Sequence, residues 1–385
     1  MGAWGPRPCH NAPVRRVLLL AFLAAGSRGE DAAPTPEAIQ RAIDAGVVWL
    51  KSAQKEDGSF GPCFTDRTYD GRPATTGYPL GPTAFALFTL AVCGVPKEDA
   101  TVQRGLKWFI EAEHGNDRYS SYESSAVILM LCALNRVEAP KKLLRTGELR
   151  TRPEGSRFTG PEWMRLDERV QHLIGGKSCY VRGGFGYWDS ERDYADVSAT
   201  QFAILALRAA SFAGYPVETV RPDLWSRTAD FLRGLQDSSG GFPYHAPFKP
   251  SRGMTAAALS TLMICREQIV LLGGKEPASL AATIEKGFKY LDENFDVETN
   301  PSSHAEDQGA YHYCHLYAIE RVGMVSGRRE FGGKGWYARG AAFLLKEQDG
   351  KGRWMDTTCM NPQDVLGTCF ALLFLKKATI PAVTR

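Results

Sequence analysis

The chain has 385 residues, 44% of them hydrophobic and 11% aromatic, enough to bury one large core or two smaller ones. Its 46 basic and 43 acidic residues nearly cancel, leaving a net charge of +3. That balance excludes binding to nucleic acid or an anionic membrane surface through overall charge.

At the N-terminus, Arg7, Arg15 and Arg16 precede the apolar run VLLLAFLAAG (17–26). A run of about ten is too short to span a bilayer and is the usual length of a signal-peptide core. Residues 1–29 therefore read as a signal peptide and 30–38, with Pro34-Thr35-Pro36, as a short disordered lead-in. The expected location is periplasmic or extracellular, with no membrane-spanning segment in the mature chain.

Six units then follow one plan: a helix carrying an aromatic–aliphatic pair, a turn, and a second, more apolar helix. The pairs are Trp49-Leu50, Trp108-Phe109, His172-Leu173, Phe231-Leu232, Tyr290-Leu291 and Phe343-Leu344. The first and last lie 294 residues apart, so five steps average about 59 residues, a repeat period. In the first helix, Ile39, Ala42, Ile43, Gly46, Val47 and Leu50 recur at helical spacing while Glu37, Gln40, Arg41, Asp44 and Lys51 face away. The second helices, such as GPTAFALFTLAVCGV (81–95), ESSAVILMLCAL (123–134) and DVLGTCFALLFLKK (364–377), are apolar nearly all round, as a helix enclosed on every side must be. The turns QKEDGSF (54–60), QDSSGGF (236–242) and QDGKGRW (348–354) share a glycine that ends the helix and an aromatic that folds back onto it. An insertion at about 138–162 carries the basic cluster KKLLRTGELRTR (141–152), a solvated surface or a partner-docking segment.

Six such hairpins predict an all-α fold: an α/α toroid over 39–377, inner helices apolar and outer helices amphipathic, followed by a tail at 378–385. An open solenoid would need polar capping repeats, and the first and last units are as apolar as the middle ones. Nine cysteines include no CxxC pair, which excludes a zinc ribbon or a thioredoxin-type site. Cys93, Cys132, Cys265, Cys314 and Cys369 fall in apolar helices as small hydrophobes. Cys63, Cys179 and Cys359 lie in loops, and Cys63 and Cys359 are expected to face each other where the sixth unit meets the first.

RGAAFLLKEQDGKGRW (339–354) resembles the QW motif of squalene and oxidosqualene cyclases, with weaker copies at AGVVWLKSAQKEDGSF (45–60) and RTADFLRGLQDSSGGF (227–242). AYHYCHLYAI (310–319) is similar to the histidine-bearing inner helix of protein prenyltransferase β subunits. The chain thus resembles the prenyltransferase and squalene-cyclase repeat superfamily, and SATQFAILALRAA, MTAAALSTLMICREQ and AIERVGMVSGRREFGGKGWY look like its exported bacterial members of unassigned activity. The resemblance implies the six-hairpin toroid over about 39–377 and speaks less to chemistry.

A cyclase of this kind holds a protonated acid in an Asp-x-Asp-Asp motif. The nearest match is Asp193-Tyr194-Ala195-Asp196, where alanine stands at the proton donor's position; Asp196 reads equally as a helix N-cap. A prenyltransferase holds zinc through an Asp-x-Cys and a histidine. His312 matches the histidine, but Gly253-Met254-Thr255-Ala256 supplies neither other ligand, so no metal and no cofactor are expected. Asp193, Asp196 and His312 are the catalytic candidates.

The mouth of the ring should also collect turn and helix-start residues: Tyr187, Trp188, Tyr244, His245 and Arg252 from the middle units. His304, Asp307, Tyr311, Trp354, Asp356 and Asp364 would come from the last two. Such a mixture suits a lipid, a sugar or a protein partner. Three functions follow: a toroid binding a ligand or protein at its mouth, a terpenoid cyclase or prenyltransferase-like enzyme, or a carbohydrate-active lyase or hydrolase. A sugar enzyme would set two carboxylates about 5–10 Å apart across an open cleft. A cyclase would bury one acid in a closed aromatic pocket.

Overall fold

The computed structural model describes residues 33–61, 64–65, 80–111, 120–138, 152–176, 178–187, 194–300, 311–356, 360–361 and 363–382. Outer helix leads to inner helix six times. α1 (Pro36–Ser52) leads to α2 (Gly81–Val92), α3 (Ala100–Glu111) to α4 (Ser121–Leu134), and α5 (Gly160–Ile174) to α6 (Val197–Phe212). After a single-turn α7 (Val217–Val220), α8 (Leu224–Leu235) leads to α9 (Arg252–Leu271), α10 (Ala278–Asn294) to α11 (His312–Ser326), and α12 (Trp336–Glu347) to α13 (Gln363–Lys376).

Each inner helix packs on the next in the order α2, α4, α6, α9, α11, α13, and α13 packs back on α2. The ring is closed, and α1 seals the outside of the seam against α12 and α13. The fold is an α/α toroid. The aliphatic or second aromatic member of every repeat pair, from Leu50 through Phe109, Leu173, Leu232 and Leu291 to Leu344, is buried, while its partner is half-buried. Helix α9 is long and apolar enough to cross a membrane by length and composition, but 72% of that stretch is buried inside the ring.

Helix starts follow local chemistry. The Thr35 hydroxyl accepts from Ala38 N, with Pro36 in the first turn, so the first helix begins inside what reads from sequence as a disordered lead-in. Ser120 with Glu123, and Thr159 with Glu162, form capping boxes. The latter starts α5 at Gly160, and Phe158 before it is buried edge-on to Trp163, so the end of the expected insertion is core.

The glycine turns have a second role beyond ending helices. Gln54, Gln236 and Gln348 each use Nε2 twice. One bond, 2.9 Å long, goes to the carbonyl of the turn's own Gly58, Gly240 or Gly352; the other goes to Thr101, Thr283 or Ala42 on the next outer helix, at 2.8, 2.9 and 2.9 Å. A threonine in the first turns of the inner helix (Thr83, Thr200, Thr255 or Thr368) accepts the backbone N–H of the aromatic that follows, 3.0 Å away in all four cases. Gly352 has φ +87°, and a Cβ there would lie 2.7 Å from the Ala45 carbonyl oxygen on α1. Gly352→Ala is therefore expected to destabilise by more than about 2 kcal/mol in chemical denaturation. Gly350→Ala, with open space around it, should stay within about 0.5 kcal/mol of the parent.

Short strands reinforce the seam. β1 (Phe64–Thr65) pairs antiparallel with β6 (Met360–Asn361), joining the first unit to the last. β2 (Tyr180–Val181) pairs with β3 (Gly184–Phe185), and β4 (Glu330–Phe331) with β5 (Lys334–Gly335). Cys63 and Cys359, the expected pair, lie outside the described residues. Cys132, Cys265 and Cys369 are buried in helices.

The expected C-terminal tail is not loose. Arg208 of α6 grips Glu267 of α9 through two bonds of 2.6 and 2.8 Å, and donates to the carbonyls of Ile380 and Pro381 at 2.7 and 2.8 Å. Glu320 of α11 accepts Thr379 N and Oγ1 at 2.9 and 2.7 Å. The chain after α13 thus lies across buried charges near the C-terminal ends of the inner helices.

Candidate functional site

All six inner helices run the same way, so their N-termini share one end of the ring. Asp196 caps α6 there and is fully buried. Its Oδ1 accepts from Ala199 N at 2.7 Å, and its Oδ2 lies 3.1 Å from the Tyr244 hydroxyl. Tyr244 is also 3.1 Å from the hydroxyl of Tyr187. Tyr122 of α4 donates to Ser198 Oγ at 2.9 Å, and its ring meets Tyr187 and Phe202 edge-on, with centroids 5.3 and 5.5 Å away. Backbone bonds hold these pieces: Val197 N to Tyr244 O, Asp196 N to Phe185 O, and Ser121 N to Tyr187 O.

Burial pushes the Asp196 carboxyl up to about 7, against hydrogen bonds from Ala199, Tyr244 and Ser198 that favour its charged form. Burial likewise drives the phenols of Tyr122 and Tyr244 well above their ordinary value. Tyr244 has one hydroxyl proton. With Asp196 ionised, that proton points to Oδ2; with Asp196 neutral, the acid can donate to Tyr244, which donates on to Tyr187. The arrangement is a neutral-capable acid with a phenol relay behind it and aromatic faces around it.

One layer deeper, Phe85, Phe202 and Phe370, from α2, α6 and α13, meet across the axis with centroids 4.9 to 6.4 Å apart. Tyr317 of α11 joins them, 5.9 Å from Phe370. The Arg321 guanidinium lies 4.1 Å from the Tyr317 ring centroid and 5.1 Å from that of Phe202, and donates to Gln201.

The structure brings Asp196, Tyr187 and Tyr244 together, with His245 flanking them: its ring is 5.3 Å from Tyr244, 4.8 Å from Tyr194 and 4.5 Å from Phe248. Asp193, Trp188, His304 and Asp307 lie outside the described residues. Arg252 is taken up by Asp296 at 3.1 Å and Thr299 at 3.0 Å. Asp364 pairs with Arg353 at 3.0 Å. Tyr311 precedes α11 in a left-handed conformation, φ 58°. Asp356 is buried; burial pushes the thiol of Cys314 up to about 11, with Arg321 opposing and Asp356 adding to the rise.

Two expectations need correction. Trp354 does not line the mouth. It is wholly buried, donating Nε1 to Leu344 O at 2.8 Å and packing where a side chain on Gly46 would stand. His312 is equally a packing residue: Nε2 sits 2.9 Å from Val297 O, and the ring stacks on Phe343 of α12 at 4.7 Å. His315 is held by Asp296 O at 3.2 Å, and burial lowers its pKa to about 3 and that of His312 in the same direction. Neither imidazole contacts the Asp196 group. Among the described residues, no three or more His, Cys, Asp or Glu side chains converge as a metal site.

Sequence reasoning missed Tyr122, Gln201, Arg208, Glu267, Glu320 and Arg321. The available signal was a charge inside an apolar helix, in ALRAA, ICREQ and AIERVG, which has no surface to face in an enclosed ring.

No protein-family model matches the chain, and no curated protein matches it. Solved structures do. A type II terpene cyclase from Scytonema, MstE, in complex with geranylgeranyl dihydroxybenzoate, superposes with a TM-score of 0.52 at 12% identity over 89% of this chain and 98% of that one. A protein from Actinoplanes gives 0.53 at 13% identity, over 88% and 99% of the two chains. A family 76 glycoside hydrolase from a bovine Bacteroides thetaiotaomicron strain gives 0.50 at 8% identity, over 89% and 77%. The chain shares the α/α toroid with terpene cyclases and glycoside hydrolases alike.

Proposed function

We propose that the ring receives an apolar, isoprenoid-like molecule through the mouth and that Asp196 is its proton donor, in the manner of a terpenoid cyclase. The observation that carries this reading is one carboxyl, fully buried and raised to about 7, set among Tyr122, Tyr187, Tyr244 and Phe202. A neutral acid in an apolar wall can give its proton to an alkene: the O–H bond breaks, a C–H bond forms, and the cation is consumed by ring closure. The last cation returns a proton, so substrate and product are isomers. Aromatic faces stabilise positive charge as it develops. The likeness to MstE, solved with geranylgeranyl dihydroxybenzoate, favours the same ligand class.

The family's middle acid is Ala195 here, so the donor in this reading is the capping aspartate itself. A sugar-cleaving site is less well supported, because among the described residues no second carboxylate contributes to the rise at Asp196.

The test is to incubate the purified chain with geranylgeraniol and a geranylgeranyl-substituted benzoate, and to look by mass spectrometry and NMR for an isomer with fewer alkene protons. Asp196→Asn should remove the product and leave binding of the same molecules intact. Absence of binding for both compounds would overturn the reading; product formed by the Asn variant would remove Asp196 from the role.

A further inference from the structure

Two buried guanidiniums stand inside the ring, and they are treated differently. Arg208 has both oxygens of Glu267 and two carbonyls of the C-terminal segment. Arg321, 1% exposed, donates among the described residues to Oε1 of Gln201 and lies against the ring faces of Tyr317 and Phe202. Among the described residues its Nε and Nη1 meet no hydrogen-bond acceptor, nor does the amide Nε2 of Gln201, which is itself 2% exposed. Glu320, next to it in sequence, turns both carboxylate oxygens to Thr379 rather than to the guanidinium.

The position of Arg321 matters as much as its unpaired donors. It is on α11 and Gln201 on α6, with α9 between those two helices in the ring order. A bond between them crosses the interior instead of lying in a seam between neighbours. Three donor atoms with no acceptor among the described residues therefore sit in a layer walled by Phe85, Phe202, Tyr317 and Phe370. An unpaired buried cation is among the least favourable things a fold can hold, and removing a guanidinium's hydration is tolerated when an anion takes its place. A planar guanidinium fork beside an amide N–H matches the two oxygens of a carboxylate. A diphosphate carries more charge than one guanidinium neutralises.

We propose that Arg321 and Gln201 seat a carboxylate carried by the ligand, so that the molecule entering the ring is an apolar chain ending in a carboxylic acid. This rests on the reading of the mouth as the entrance for an apolar molecule, and it names that molecule's polar end. Gln201 is five residues beyond Asp196 on α6, which at 1.5 Å per residue is about 7.5 Å deeper along the helix. A carboxylate held at Gln201 leaves the chain above it at the level of Asp196. The cation already covering Phe202 and Tyr317 also keeps positive charge on the substrate away from that layer unless an anion neutralises it.

The test is calorimetric titration of the full chain at pH 8 with decanoate and with decanol, which share a chain length and differ in the charged end. The expected result is decanoate binding at least about tenfold more tightly, as a charge-assisted hydrogen-bond pair should give. Arg321→Gln should bring decanoate down to the level of decanol and leave decanol unchanged, and Arg321→Lys should recover only part, since an ammonium lacks the fork. The wild-type comparison needs no variant, so a misfolded Arg321→Gln protein leaves the question answerable. Equal binding of the two ligands would overturn the seat while sparing the mouth as an apolar entrance. So would binding of geranylgeraniol with neither ten-carbon ligand bound. If none of the three binds, both readings fall.

Discussion

Asp196→Asn is expected to make the protein more stable above pH 7 while removing the proton donor. The folded-state pKa of Asp196 is raised from 3.8 to about 7, so the native state holds this proton more tightly than the unfolded chain does. Its stabilising contribution is fully present below the unfolded value and is lost as pH rises through the folded one. A shift of that size corresponds to at most about 4 kcal/mol. Asparagine caps a helix as well as aspartate, can still accept from Ala199 N, and can donate to the Tyr244 oxygen. Urea denaturation at pH 5 and pH 8 checks the sign: the gap between variant and parent should widen in favour of the variant at pH 8. A parent as stable as the variant at pH 8 would mean that ionising Asp196 costs the fold little. Glu320, raised from 4.5 to about 7 by burial, should respond to Glu320→Gln with the same sign. A group that weakens the fold at working pH is the kind of feature a catalytic role retains.

The second large effect lies near the opposite end of the ring. Arg208→Met should cost about 3–5 kcal/mol, because it removes the guanidinium that holds both oxygens of the buried Glu267. Both side chains of the pair are 2% exposed, so solvent cannot compensate. The double replacement Arg208→Met with Glu267→Met should recover most of the loss, since two apolar side chains of similar volume need no counter-ion. A single variant costing less than about 1 kcal/mol would put the pair in the class of solvent-screened contacts.

The ring itself was legible in the sequence because its rule is repetitive. An aromatic–aliphatic pair recurs from Trp49-Leu50 to Phe343-Leu344, and burial of the second member is the same solution six times. The contacts that lock one unit to the next were not legible, because Gln54, Gln236 and Gln348 donate to backbone carbonyls, which every residue possesses. The site was half legible. Asp196 stood out as an acid at the start of an enclosed helix, but residue type does not say which way a ring faces. Trp354 and His312 have the chemistry of a binding wall and spend it on Leu344 and Val297 carbonyls. The neighbouring residues mislead for Arg321 and Arg208: Arg321 follows Glu320, which turns to Thr379, while Arg208, flanked by Leu207 and Ala209, is held by a glutamate 59 residues away on another helix.

The bond from Gln348 to Ala42 spans 306 positions of chain, yet it is the same bond that joins neighbours elsewhere. In an open stack of repeats, the last unit adds its own increment and its loss shortens the array. Here the last unit is also the neighbour of the first. Until α13 arrives, the inner flank of α2 and the seam side of α1 stay uncovered, and the earliest hairpin made is the last to be completed. Folding must therefore wait on contacts such as Gln348 to Ala42, 306 residues apart in sequence, which is the slow way to fold. In exchange, the finished ring has no end from which to fray.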